Sequence, residues 1–379
     1  METADEFCRL ACLTYTGDDE PRRWGAAARL LADEPELTRG HVWAAAAAGR
    51  AAEVSAMLDA EPALARTAGG PFGWEPLLYL AYSRVPGGDA VATARALLSA
   101  GADPGCGFVL EPNTFTALTG VFGSGEQHQP RHPRWRELAR LLLEAGADPD
   151  DAQTLYNCMF GASNEHLELL FSYGLADTHE LRVQLRWAVE HDLRDRVRLL
   201  AEHGVDVRSP YAGDGPAWAA GDGRTPVELA RLCGNTEIVE YLLAAGAVAP
   251  APDPVADLIA AVFGGAPAPA PADVVARAVR ERPGLVVWAA AAAPDAVERL
   301  VALGFDVNAL GRADAPVEQE WQTALHHAAG TGEVELTRRL LALGADPTIR
   351  DRRFDATPLD WARHLHQPAT AALLDPTGR

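Results

Sequence analysis

The apolar positions of the chain fall into short leucine- and alanine-rich blocks with helical spacing, and many blocks end alike. The phrase L-L-x-x-G-A-D closes three of them, at Asp103, Asp148 and Asp346. Weaker copies end at Asp177, Asp206, Ala247 and Asp306. Each copy predicts the end of an amphipathic helix, stopped by a glycine in the left-handed conformation. The glycines are Gly101, Gly146, Gly174, Gly204, Gly246, Gly304 and Gly344, at intervals of 45, 28, 30, 42, 58 and 40 residues. The intervals of 28 and 30 mark compact units. Longer intervals carry inserted loops, and the interval of 58 hides one degenerate unit around 253–283.

A second phrase precedes the first. It reads TPVELARLCGN from Thr225, TALHHAAGTGE from Thr323 and TPLDWARHLHQ from Thr357. The threonine lies 21 residues before the closing glycine in both the Thr225/Gly246 and Thr323/Gly344 pairs. This predicts a short first helix, capped by the threonine and opened by proline, with a small alanine face for close packing. A turn and a second, leucine-rich helix follow.

The two phrases in register resemble the ankyrin repeat. The clearest copy is 321–346, which matches T-P-L-H-x-A-A…G…L-L…G-A-D with Ala324 in place of proline. The copy at 222–247 has Glu228 where that family has histidine. Copies at 73–103 and 115–148 keep the second helix and lose much of the first. Those near 153–177, 183–206 and 283–306 follow by register. N-terminal pairs at 7–37 and 41–65 end in E-P-x-L instead. The phrases VWAAAAAGRAAEV from Val42 and VWAAAAAPDAVERL from Val287 read as one unit seen twice.

The resemblance implies an all-α ankyrin-repeat solenoid of about ten helix-turn-helix units, with hairpin-like turns and several long loops. Helix pairs of this kind bury their apolar faces by stacking on their neighbours. The expected organisation is one elongated domain over 1–379. Capping and degenerate units occupy 6–68, degenerate units 73–206 and an inserted loop 207–221. Middle units with a Pro/Ala-rich turn span 222–306, and the best-matching units 321–375.

The function implied is that of a cytoplasmic protein–protein interaction scaffold, gripping its partner in a concave groove. Carrying the family's register onto this sequence points Trp74, Tyr82, Phe115, Phe160, Arg224, Trp321 and Gln322 at that face. Insertions at 105–113, 207–221 and 309–320 add to it, and Tyr211, Asp214, Trp218 and Trp321 form the expected hot spot. A fourth insertion, 123–134, lies between the two helices of one unit. The alternative is a small-molecule-binding protein or enzyme whose pocket the loops close, with Glu190, His191 and Tyr82 as its weak catalytic candidates.

Composition narrows the chemistry. All 33 basic residues are arginine, and the net charge is −20 over 379 residues. The absence of lysine excludes a P-loop lysine, a Schiff-base lysine and a lysine general base. The acidity argues against nucleic acid and for a partner with a basic surface. Five scattered cysteines suggest neither a disulfide framework nor a zinc site. His128 and His132 are four apart, but Pro130 and Pro133 break the helical geometry a metal pair needs. No cofactor or metal is expected. The acidic N-terminus lacks the features of a signal peptide, and the apolar stretches at 42–48 and 285–293 are shorter than the ~20 residues of a membrane span. A cytoplasmic location is therefore expected. The alanine- and arginine-rich composition points to a GC-rich bacterial genome.

Overall fold

The computed structural model describes residues 2–17, 19–211, 223–266 and 269–375. Among them the chain is mostly helical, with 22 α-helices and one two-stranded hairpin. It divides into two compact units, Met1–Gln184 and Leu185–Arg379.

The first unit contains α1 (Glu2–Ala11), α2 (Pro21–Asp33), α3 (Val42–Ala47), α4 (Ala51–Ala60), α5 (Pro76–Tyr82) and α6 (Ala90–Ser99). A hairpin follows, β1 (Gly107–Leu110) and β2 (Asn113–Thr116), then α7 (Ala117–Phe122), α8 (Trp135–Glu144), α9 (Ala152–Met159) and α10 (Glu165–Phe171). The helix α11 (Thr178–Glu190) runs across the division. The helices α1, α3, α5, α7 and α9 pack in succession, and α4, α6 and α8 do likewise. The alanines of α3 are buried, which is what lets α3 lie close to α5. The E-P-x-L phrases form 3-10 turns, Pro35–Thr38 and Pro62–Arg66, in place of glycine stops.

The second unit contains α12 (Arg194–Glu202), α13 (Pro226–Leu232), α14 (Thr236–Ala244), α15 (Pro254–Phe263) and α16 (Ala272–Glu281). It continues with α17 (Leu285–Ala292), α18 (Ala296–Ala302), α19 (Ala324–Thr331), α20 (Val334–Ala342), α21 (Pro358–His364) and α22 (Pro368–Leu374). The helices α17, α19 and α21 pack side by side, with α20 against α22 behind them. The unit hidden in the long glycine interval is the pair α15 and α16.

The repeated phrases have a local physical cause. All seven closing glycines have φ between 83° and 105°, a region where a side chain is strained. In six units the aspartate after the glycine accepts the backbone N–H two residues on, at 2.8–2.9 Å. The pairs are Asp103 with Gly105, Asp148 with Asp150, Asp177 with His179, Asp206 with Arg208, Asp306 with Asn308, and Asp346 with Thr348. The carboxylate thus bends the chain out of each second helix. Ahead of α7, α13, α19 and α21, reciprocal capping boxes join Thr116 to Thr119, Thr225 to Glu228, Thr323 to His326 and Thr357 to Asp360.

The insertion at 105–113 departs from the all-helical expectation. Its aromatic and β-branched residues pair with the segment after it, Phe108 opposite Phe115 and Val109 opposite Thr114, as an antiparallel hairpin. Among the described residues, no helix is long and apolar enough to cross a membrane.

Candidate interaction site

The site is built on three segments ahead of α19 and α21. Trp321 and Gln322 form a short extended stretch. Gln322 exchanges backbone hydrogen bonds with Gly311 on one side (2.8 and 3.1 Å), and the Arg352 N–H donates to the Trp321 carbonyl on the other (2.8 Å). Thr323 then caps α19. His326 Nδ1 accepts the Thr323 N–H at 3.2 Å, so Nε2 carries the proton and donates to the Ala356 carbonyl at 2.9 Å. His326 thus ties the start of α19 to the adjoining turn. Burial pushes its pKa down, so it is held in the neutral form.

The insertion 309–320 is held from beneath. Buried Arg282 pairs through Nε with Glu318 and donates from Nη2 to the Pro316 carbonyl at 3.0 Å. Glu318 Oε2 accepts the Gly284 N–H at 3.1 Å. Ala313 and Ala315 are buried beneath the loop. Arg312, its side chain largely covered, binds Asp314 and donates to Gln319 Oε1 at 2.7 Å.

The third segment is organised by Asp351, a buried carboxylate that accepts four N–H groups. These come from Arg353 (2.8 Å), Phe354 (2.6 Å), Ala356 (3.1 Å) and the Trp361 indole (2.9 Å). Burial alone would raise its pKa, but the donors together hold it below the ordinary carboxylate value.

On this frame lies an open aromatic face. Trp321 meets Trp361 edge-on at 6.3 Å, and Phe354 meets Trp361 at 6.2 Å. Trp321 and Trp361 are half-buried, whereas Phe354 is 60% exposed. The Arg312 guanidinium sits 4.6 Å from the Trp321 ring centre and that of Arg353 5.1 Å, with Arg353 also 5.2 Å from Phe354.

The other predicted contacts fare differently. Trp74 is 7% exposed and Tyr82 fully buried, and Phe115 is buried with them, so these three are core and not groove. Their cover is the hairpin. Phe108 stacks on Trp74 at 4.4 Å and on Phe115 at 5.6 Å. Tyr82 donates to the Thr116 carbonyl at 2.9 Å, and its ring lies where a Cβ on Gly120 would fall. Gln322 and Tyr211 are also buried. Tyr211 lies with its ring 5.5 Å from the Arg186 guanidinium, and its N–H donates to the Arg224 carbonyl. Arg224 is half-buried, as is Phe160, which packs edge-on against Tyr156. Asp214 and Trp218 lie outside the described residues.

The expected catalytic group is not assembled as a solvent-facing site. Glu190 is buried and ion-paired to Arg186 at 2.9 Å, one turn back on α11. His191 stacks on Trp187 at 3.7 Å and meets Trp288 edge-on, with its pKa lowered by burial. Tyr82 belongs to the other compact unit and is buried there. His132, one of the two histidines four apart in the fourth insertion, is buried with its pKa lowered to about 3 by desolvation and by Arg84 and Arg134. Among the described residues no group of three or more His, Cys, Asp or Glu side chains is arranged to hold a metal. A cavity of about 800 Å³ opens beside α1 and α3, with Asp5, Asp33, Glu34, His41 and Trp43 in its wall. None of the inserted loops lines it.

Phe354, Trp361 and Arg353 escaped the sequence reading. A signal was present, since RDRRFDA directly precedes Thr357, although Phe354 stands one position further from its threonine than Trp321 does from Thr323. Comparison with protein families matches the ankyrin repeat to residues 222–253 and 320–352, so Trp321 and Gln322 lie inside a matched segment. No curated protein matches the chain.

Proposed function

We propose that this chain is a non-enzymatic recognition protein that holds a protein partner on the aromatic face of Trp321, Phe354 and Trp361. The observation that carries this reading is Phe354, a large apolar ring 60% exposed on a rigid hydrogen-bonded turn, beside two half-buried tryptophans. Aromatic side chains of this kind anchor protein interfaces. Ankyrin repeats act generally in protein recognition, and the matched segment 320–352 includes one wall of the face. The reading includes a reducing, cytoplasmic setting, in keeping with five free and buried cysteines. Asp214 and Trp218 remain proposed contacts.

The test is affinity capture from lysate of the source cell, comparing wild type with Trp321→Ala/Phe354→Ala and with Trp218→Ala. Proteins and small molecules in the eluate are both identified. A protein recovered stoichiometrically with wild type and lost with the double variant is the expected result. Equal recovery with both would remove the face from the reading. A retained small molecule without any protein would favour the pocket alternative.

A further inference from the structure

The chain contains one completed version of the arrangement that the Trp321 face leaves unfinished. At the start of α8, Trp135 is flanked by the guanidinium groups of Arg131 (4.5 Å) and Arg136 (4.7 Å). Both of these arginines bind one carboxylate, Glu165, Arg131 at 2.8 Å. The aromatic ring takes the cation's flat face while the N–H edge donates to a carboxylate, which is the geometry that guanidinium favours.

At Trp321 the flanking pair is Arg312 and Arg353. Arg312 has its carboxylate, Asp314. Arg353 lies on Trp321 and Phe354, and among the described residues it makes no ion pair; nor does its exposed neighbour Arg352. The nearby acids are largely committed. Asp351 is filled by four N–H groups, Asp355 pairs with Arg350 at 3.8 Å and Glu318 with Arg282. Exposed Glu320 is the uncommitted acid close in sequence. The face therefore carries in Arg353 a guanidinium with no carboxylate of its own among the described residues, although the whole chain is −20.

We infer that the partner reaches this face with an acidic peptide segment, its Asp or Glu carboxylate on the N–H edge of Arg353 and an apolar side chain on Phe354. This rests on the proposed protein-binding role and revises the partner charge that net charge alone suggests. The long-range field of an acidic chain favours a basic partner, but contact is decided by the groups that touch, where like charges are costly.

The probe is a random-peptide display library selected on the full-length chain, with selected peptides measured by fluorescence anisotropy. Selected sequences should be rich in Asp and Glu around one apolar residue. Their affinity should fall with added salt, and Arg353→Glu should weaken it about tenfold or more. Replacing the peptide acids with arginine should restore binding to Arg353→Glu, a rescue that mere structural damage would not give. Phe354→Ala should weaken binding without changing its salt dependence.

Selection of basic or uncharged peptides that still need Phe354 would overturn the inference and leave the protein-binding reading in place. Binding indifferent to both Phe354→Ala and Trp321→Ala would remove the face from both. Failure to select any peptide would overturn the inference. So would concentration-dependent self-association abolished by Arg353→Glu, because the occupant would then be a second copy of this chain.

Discussion

Trp74 and Trp321 occupy matching places, each just ahead of a short first helix and each gathering further rings. Around Trp74 the rings are Phe72, Tyr79, Tyr82 and Phe108, and the cluster is closed. Around Trp321 they are Trp361 and, through it, Phe354, and the cluster is open. The difference lies in what the neighbouring insertion carries. The hairpin brings Phe108 down onto Trp74, and apolar insertion buries apolar ring. The insertion before Trp321 turns its alanines inward and sets Arg312 against the ring. Arg312 spends its edge donors on Asp314 and Gln319, while Arg353 on the same ring makes no ion pair among the described residues and keeps its edge for solvent or a partner. One cluster thus serves the fold, while the other is left to recognise.

The comparison breaks most readily at Tyr82. Tyr82→Ala removes a fully buried ring and its hydrogen bond to Thr116, and is expected to cost about 3–5 kcal/mol. Denaturant unfolding followed by circular dichroism measures this. A cost below about 1 kcal/mol would mean that the cluster is not core.

Acid should reach the same unit next. In the unfolded chain His132 titrates near 6.5, but in the fold burial and two arginines hold it near 3. A histidine with a depressed folded pKa contributes stability that is intact above about pH 6.5 and lost as the pH falls toward 3. The loss should be on the order of 3 kcal/mol by pH 4. His132→Asn keeps an acceptor near the Nδ1 position, which binds the Arg134 N–H at 3.0 Å, and cannot charge. Its unfolding free energy should therefore vary less with pH than that of wild type; equal slopes would refute the assignment.

In the other unit the corresponding pivot is Asp351. Asp351→Ala strands four donors and should cost about 1–3 kcal/mol. Its lowered pKa makes its contribution complete above the ordinary carboxylate range, about pH 4, and lost as the pH falls through the folded value. Indole fluorescence should also change, because Trp361 loses its hydrogen-bond partner. An unaltered spectrum would count against the described turn.

These contrasts show which features could be read from sequence. Helix ends were legible because each is set by a local residue, whether glycine at positive φ, aspartate bonding two residues on, or threonine in a capping box. Burial of the aromatics was not, because it depends on how an insertion folds back, as Phe108 on Trp74 shows. Glu190 and His191 failed for a related reason. The register assumes a short first helix such as α13, of 7 residues, whereas α11 has 13. Each added residue rotates a side chain by about 100°, and Glu190 ends buried against Arg186. Phe354 is hidden in the sequence because the turn it occupies is set by Asp351 accepting N–H groups from along the chain, which no repeated phrase marks.

The smallest expected effect on stability decides most about function. Phe354→Ala removes a ring that is 60% exposed, so unfolding free energy should move by no more than about 0.5 kcal/mol. The backbone donors of the turn remain, since Asp351 binds the Phe354 amide and not its side chain. If the open cluster exists for recognition, partner affinity should nevertheless drop about tenfold, as for an aromatic anchor at an interface. A variant that loses stability as Tyr82→Ala does would show that Phe354 is packing and that the two clusters are alike. A variant that keeps both stability and partner would leave the exposed ring without a role in binding. Only the combination of unchanged stability and lost binding separates the open cluster from the closed one.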